Sequence, residues 1–259
     1  GGVGKTVLSL SKTLYHQSNR NHTFYNAFDF KSPQIANELS ISHFNLDVEN
    51  SAQEYIGKKL GSSTLGKWVM KTPFFKSLLQ MLPGLEQMIL LGDIIDRLEE
   101  NPKHNFVMDA PSSGHVLSLL HSTFNFRDIF EKGLLVKDID KMINLLKSPG
   151  FLKISIVTLP TSMAIQESLE LKAQIDELKL GESEILINDS FILDPVIIDH
   201  QKELPNFFLE KIENEKKSIQ ILEKEMERKL DKRDFPHIPV LTNRELIQKL
   251  VGFWKNAEN

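Results

Sequence analysis

The chain of 259 residues contains no cysteine. That absence excludes disulfides, thiolate zinc sites, iron–sulfur clusters and cysteine nucleophiles together, and it suits a cytoplasmic protein. Surplus positive charge is also missing, since 31 basic against 35 acidic residues give −4 with histidines neutral. No global field therefore draws the chain to nucleic acid or an anionic membrane, and no nucleic-acid partner is expected. Long apolar runs are lacking too: the greasiest stretch, Leu78 to Ile95, is cut by Pro83, Gly84, Glu86 and Asp93, short of the roughly 18 residues of a membrane span. The first residues have no charged start followed by an apolar stretch, as a signal peptide would. What is present, 41% hydrophobic and 25% charged residues, can bury a substantial core.

Gly1-Gly2-Val3-Gly4-Lys5-Thr6 has the composition of the second half of a phosphate-binding loop, and the stretch from Val7 to Tyr15 reads as the helix that follows it. Glycines let backbone N–H groups turn inward around an anion, and the helix aims the positive end of its dipole at the same point. Gly1, Gly2, Val3, Gly4, Lys5, Thr6 and Val7 are therefore the candidate nucleotide contacts. Lys5 would pair with the β- and γ-phosphates of ATP, and the Thr6 hydroxyl would ligate Mg²⁺. The plainer reading is a glycine-rich turn before a helix. A complete loop would also have a strand and two further residues ahead of Gly1.

Short β-prone runs alternate with helical stretches: Thr23 to Phe28, Asn105 to Met108, Leu152 to Leu159, Glu184 to Ile187 and Ile238 to Leu241. That rhythm predicts an α/β fold, a mostly parallel sheet flanked by helices, with ligands beyond the carboxyl ends of the strands. The expectation is one domain over 1–259, with a helical subdomain inserted at about 45–100 because that interval is too long for one crossover helix. Asp109 ends an apolar strand and is the candidate Mg²⁺ ligand opposite Thr6, although an Asp after a strand also serves as a helix cap. Asp29 is the candidate that orients or deprotonates the attacking water, against a turn role before Ser32-Pro33. Asn188 is the candidate for hydrogen bonding to adenine, against a turn role in Asn188-Asp189-Ser190.

Taken in order, these segments resemble the arsenical pump-driving and tail-anchored-protein-targeting ATPases, P-loop proteins with a deviant loop that are related to the Min and Par ATPases. Asp109-Ala110-Pro111-Ser112-Ser113-Gly114-His115-Val116-Leu117 is similar to that family's Asp-Ala-Pro-Ala-Thr-Gly-His-x-Leu. The stretch from Val157 to Ser168 is similar to its Val-Thr-x-Pro-Glu segment, and Ile187-Asn188 to its adenine-reading position. The resemblance implies phosphate binding on Gly1 to Thr6, water activation on Asp29, magnesium on Thr6 and Asp109, adenine on Asn188, and a homodimer. A signature lysine of the family would precede Gly1. Asp29-Phe30-Lys31-Ser32 departs from the family's Asp-Pro-Ala-His, and the missing cysteines remove its arsenite site and zinc clasp.

The function expected is ATP hydrolysis that drives dimer switching and moves the helical subdomain. Leu65, Trp68, Phe74, Phe75, Met81 and Met88 are among the apolar residues of Leu65 to Ile95 that would form a groove for an apolar-helix protein client, against ordinary packing within the subdomain. Two other readings stand beside it. One is a membrane-positioning ATPase of Min type, with Leu246, Ile247, Leu250, Val251, Phe253 and Trp254 as an amphipathic membrane helix; packing of that helix onto the sheet is the favoured alternative. The other is a protein that binds ATP without cleaving it.

Overall fold

The computed structural model describes residues 2–19, 22–27, 34–82, 84–110, 113–130, 134–200, 203–231, 233–240 and 242–258. The chain divides into two compact units, Gly1–Asn19 with Pro149–Asn259, and Arg20–Ser148.

In the first unit, helix α1 (Lys5–Ser18) buries Leu8, Ser11 and Tyr15, residues three and four apart that share one face. A βαβ segment follows later in the chain: β3 (Lys153–Thr158), α9 (Ser162–Glu177) and β4 (Glu182–Ile187), with β3 and β4 parallel and Lys153 opposite Glu182. Such parallel neighbours need a crossover, and α9 supplies it. Ile185, Leu186 and Ile187 of β4 are all buried, the run expected of a strand covered on both faces. Thr161 caps α9 by accepting the Ala164 N–H. Helix α11 (Asn206–Glu225) packs its Ile212–Ile219–Leu222 stripe inward.

The last helix, α12 (Asn243–Glu258), lies against α1. Ile247, Leu250 and Trp254 are buried, and Leu246, Val251 and Phe253 pack around a cluster containing Leu8, Tyr15, Leu186 and Phe235. The Trp254 indole N–H donates to Ser11 Oγ at 2.8 Å. The apolar face proposed for a membrane is thus spent on the unit's own core.

No strand forms at Ile238 to Val240, and Leu241 lies outside the described residues. Pro239 removes a ladder donor from that stretch, and Pro236 removes another two residues before it. The edge of β4 is covered instead by residues 228–231 and 233–237. Asp234 Oδ1 accepts the Ile187 N–H at 3.0 Å, Phe235 N–H donates to the Ile187 carbonyl at 2.8 Å, and Arg228 Nη2 donates to the Ile185 carbonyl at 2.8 Å. Arg228 and the buried Asp234 are themselves paired at 2.9 Å. A side-chain ion pair stands where a neighbouring strand's backbone would be, satisfying an edge that would otherwise be left open.

In the second unit, β1 (His22–Ala27) and β2 (His104–Asp109) run parallel, with Ala27 opposite Asp109. Parallel pairing agrees with expectation; the described strands form two two-stranded sheets rather than one larger sheet. Short α2 (Gln34–Glu38) follows β1, and α3 (Val48–Leu60), α4 (Ser63–Met70), α5 (Pro73–Met81) and α6 (Leu85–Glu100) lie in the interval before β2. Helices α7 (Ser113–Phe130) and α8 (Leu134–Lys147) complete the unit. Asp47 and Ser62 cap α3 and α4. At the α3–α4 crossing a Cβ on Gly66 would stand 2.6 Å from the Gln53 carbonyl oxygen, so only glycine permits this approach.

Candidate nucleotide site

The glycine-rich turn and the start of α1 lie in the first unit. Gly2 and Gly4 have φ of 92° and 90°, the left-handed region in which backbone N–H groups can turn toward one side at no steric cost. Gly4 is the N-cap of α1, and Lys5 is its first residue. No side chain caps this helix and no acidic residue occupies its first turn. The positive end of the dipole is therefore not offset locally, which favours an anion.

Asn188, directly after β4, comes to the same place. Its Nδ2 donates to the Val3 carbonyl at 3.0 Å across 185 residues of sequence, and its own N–H donates to the Thr158 carbonyl at the end of β3. A Cβ on Gly4 would meet Asn188 Nδ2 at 2.4 Å, so the turn and the amide are in close register. Gly2, Val3, Gly4, Lys5 and Asn188 are thus brought together; Thr6 and Val7 follow in the first turn of α1. Gly1 lies outside the described residues.

Asp109 ends β2 in the second unit, where Tyr25 Oη donates to its Oδ2 at 3.1 Å. Asp29 lies outside the described residues, as do Pro111 and Ser112 of the Asp-Ala-Pro segment; Gly114 and His115 fall in the first turn of α7. Among the described residues no cluster of three or more His, Asp or Glu could hold a metal by itself. The Thr6 hydroxyl in the first unit and the Asp109 carboxylate in the second are each oxygen donors of a type that suits Mg²⁺, which commonly takes few protein ligands, leaving the rest to phosphates and water.

Beyond Asn188 the chain is held by a carboxylate that the sequence reading did not single out. Glu215 of α11 is 3% exposed. It accepts hydrogen bonds from the Ser190 hydroxyl, from Phe191 N–H at 3.1 Å and from Ile192 N–H at 3.2 Å. Burial pushes its carboxyl above the ordinary glutamate range, and the three donors pull the other way. Asp189, with φ of 62°, pairs with His237 Nδ1 at 2.7 Å, and the His237 ring stacks on Phe191. The available signal was Glu215 itself, a charge lying on the apolar stripe between Ile212 and Ile219.

In the second unit a cavity of about 360 Å³ opens among α3, α5, α6 and α8, lined by Ala52, Ile56, Phe75, Met88, Ile139 and Met142 among others. At one end Tyr55 Oη donates to Asp138 at 2.6 Å, and Lys59 pairs with the same carboxylate. Burial first, then that carboxylate, raises the Tyr55 phenol, which stays protonated. The expected groove residues divide: Phe75, Leu85 and Met88 are buried, whereas Leu65, Trp68, Phe74 and Met81 are exposed.

The curated proteins that this chain matches are ATPases by name. They include ATPase BagA of Mycobacterium tuberculosis strain H37Rv, and a Mycobacterium bovis protein, Mb3704, named provisionally as an ATPase; each is 25% identical over 149 residues. The match takes in 55% of this chain and 44% of each relative, so the chain spans under half the length of the relatives it matches. No family model matches the chain. No described helix is long and apolar enough to cross a membrane.

Proposed function

We propose that this chain is an ATP-hydrolysing protein with its nucleotide at the turn formed by Gly2 to Thr6. The observation that carries the reading is the Asn188–Val3 hydrogen bond, which joins the amide proposed to meet adenine to a glycine turn 185 residues away. The names of the mycobacterial relatives agree with it. Gly2 and Gly4 turn N–H groups toward the phosphates, the start of α1 adds its dipole, and Lys5 offsets charge that builds on the γ-phosphate as it transfers to water. Mg²⁺, for which the Thr6 hydroxyl is the proposed ligand in this unit, would neutralise further phosphate charge. Asp29 is proposed to orient the attacking water.

The homodimer rests on the family resemblance, and the protein client on the apolar residues of Leu65 to Ile95. For the client, the cavity lined by Phe75 and Met88 offers apolar walls, but at about 360 Å³ it suits anchoring side chains rather than a whole helix, which is ~10–12 Å across. Phosphate release measured on the purified chain tests the hydrolytic claim. Lys5→Ala is expected to lower turnover by about a hundredfold or more; equal turnover in the two proteins sinks it.

A further inference from the structure

The α4–α5 hairpin presents an apolar surface that the fold leaves uncovered. Trp68 is 67% exposed, Phe74 73% and Met81 75%, and Leu60 and Leu65 are also largely exposed. Internal packing accounts for the opposite sides of the same helices. Gly66 is buried against Gln53 and Gly57 of α3, and Phe75 is buried and lines the cavity. Trp68 is two residues from Gly66, about 200° around the helix, and so faces away from the contact. Phe74 and Met81, seven residues apart, share one face of α5.

The charge on this hairpin is of one sign. From Tyr55 to Leu85 there are five lysines, at 58, 59, 67, 71 and 76, and no Asp or Glu, in a chain with 35 acidic residues. Lys58 and Lys59 are engaged by Asp96, Glu100 and Asp138. Lys67 and Lys71, four residues apart around Trp68, are exposed and have no ion-pair partner among the described residues. Elsewhere in the unit Arg97, Arg127 and Lys141 are paired, whereas Lys103 and Lys137 also have no ion-pair partner among the described residues; what sets Lys67 and Lys71 apart is their place beside the exposed Trp68. Exposed Trp, Phe, Met and Leu beside unpaired lysines, on helices too short to span, are the composition of a segment that lies in a bilayer interface.

We infer that the outer face of the α4–α5 hairpin docks on an anionic lipid bilayer, Trp68, Phe74 and Met81 entering the interface and Lys67 and Lys71 meeting acidic headgroups. An apolar protein helix would fill the apolar contacts but leave both lysines without a counter-charge, and an anionic lipid surface satisfies both. This differs from membrane attachment through α12, whose apolar face is buried. It does not depend on the ATPase reading.

The chain's two tryptophans make the test direct, because Trp254 is buried and Trp68 reports the hairpin. The whole chain is mixed with phosphatidylcholine vesicles with or without phosphatidylserine, and flotation and tryptophan emission are followed. Expected are flotation and a blue shift on phosphatidylserine vesicles only, both weakened by salt. The Lys67→Glu/Lys71→Glu double variant should bind those vesicles at least about tenfold more weakly, with unchanged circular dichroism and buried Trp254 emission. Absent flotation, equal flotation on both vesicle types, or full binding by the double variant would overturn the inference. So would a Trp68 blue shift that only a soluble apolar helical peptide produces, which would make the face a protein-docking surface.

Discussion

The two tryptophans of this chain belong to different units and have opposite surroundings. Trp254 is 4% exposed, its indole N–H held by Ser11 and its ring under Lys12, in a core that joins the first and last helices of the chain. Trp68 stands on a helix that approaches its neighbour through Gly66, the one residue with no side chain, and so projects outward. One unit uses its apolar residues and buried polar pairs, Arg228–Asp234 and Glu215 with its three donors, to fix a turn in place. The other keeps a cavity inside and carries its exposed large apolar residues between positions 60 and 81, whereas those of the first unit, such as Met163, Val196 and Phe207, are spread along the chain from 163 to 221. A unit of the first kind suits holding a small ligand in defined geometry; one of the second suits surfaces that bind larger partners.

That contrast can be broken by substitution. Trp254→Ala removes a buried indole and orphans a contact to Ser11, and should cost about 3–5 kcal/mol in urea denaturation followed by circular dichroism; a change below ~1 kcal/mol would mean that the first unit is not tightly packed. Gly66→Ala drives a Cβ toward the Gln53 carbonyl oxygen and should cost about 1–3 kcal/mol, because α4 must move away from α3; unchanged stability would show the crossing to be loose.

Glu215→Gln sharpens the comparison through pH. Burial favours the protonated carboxyl, so the stability tied to it is full below the ordinary glutamate value, near ~4.3, and is lost as pH rises through the raised folded-state value. The variant, uncharged throughout, should therefore be most destabilised relative to wild type at acid pH, the gap narrowing toward neutrality; a gap that widens with pH contradicts the assignment. Trp68→Ala is the smallest effect expected, within about 0.5 kcal/mol. A loss like that of Trp254→Ala would mean that Trp68 is packed after all.

Local patterns in the sequence carried much of this. Glycines before Lys5-Thr6 predicted a turn into a helix, and apolar runs predicted β1 to β4, because both signals lie within a few residues of chain. The edge of β4 was not legible. Ile238 to Leu241 looks like a strand, whereas Asp234 and Arg228 supply the hydrogen bonds from side chains, and no periodicity records that substitution. Nor could periodicity distinguish α12 from α4 and α5. Each carries an apolar face, and only the tertiary fold decides which face finds Leu8 and Tyr15 and which finds none. The nearness of Asn188 to Val3 comes from the fold alone, since spacing in sequence says nothing across such a distance and the family resemblance implies only that Asn188 meets the adenine.

The claim at the centre is that ATP rests in the Gly2–Thr6 turn with its base read by Asn188. Calorimetric titration of the chain and of Asn188→Ala with ATP and with GTP tests it most directly. The account predicts that wild type prefers ATP by about tenfold or more, worth ~1.4 kcal/mol, and that the variant keeps its fold by circular dichroism while losing that preference. No uptake of ATP, or the same purine preference in both proteins, would contradict it.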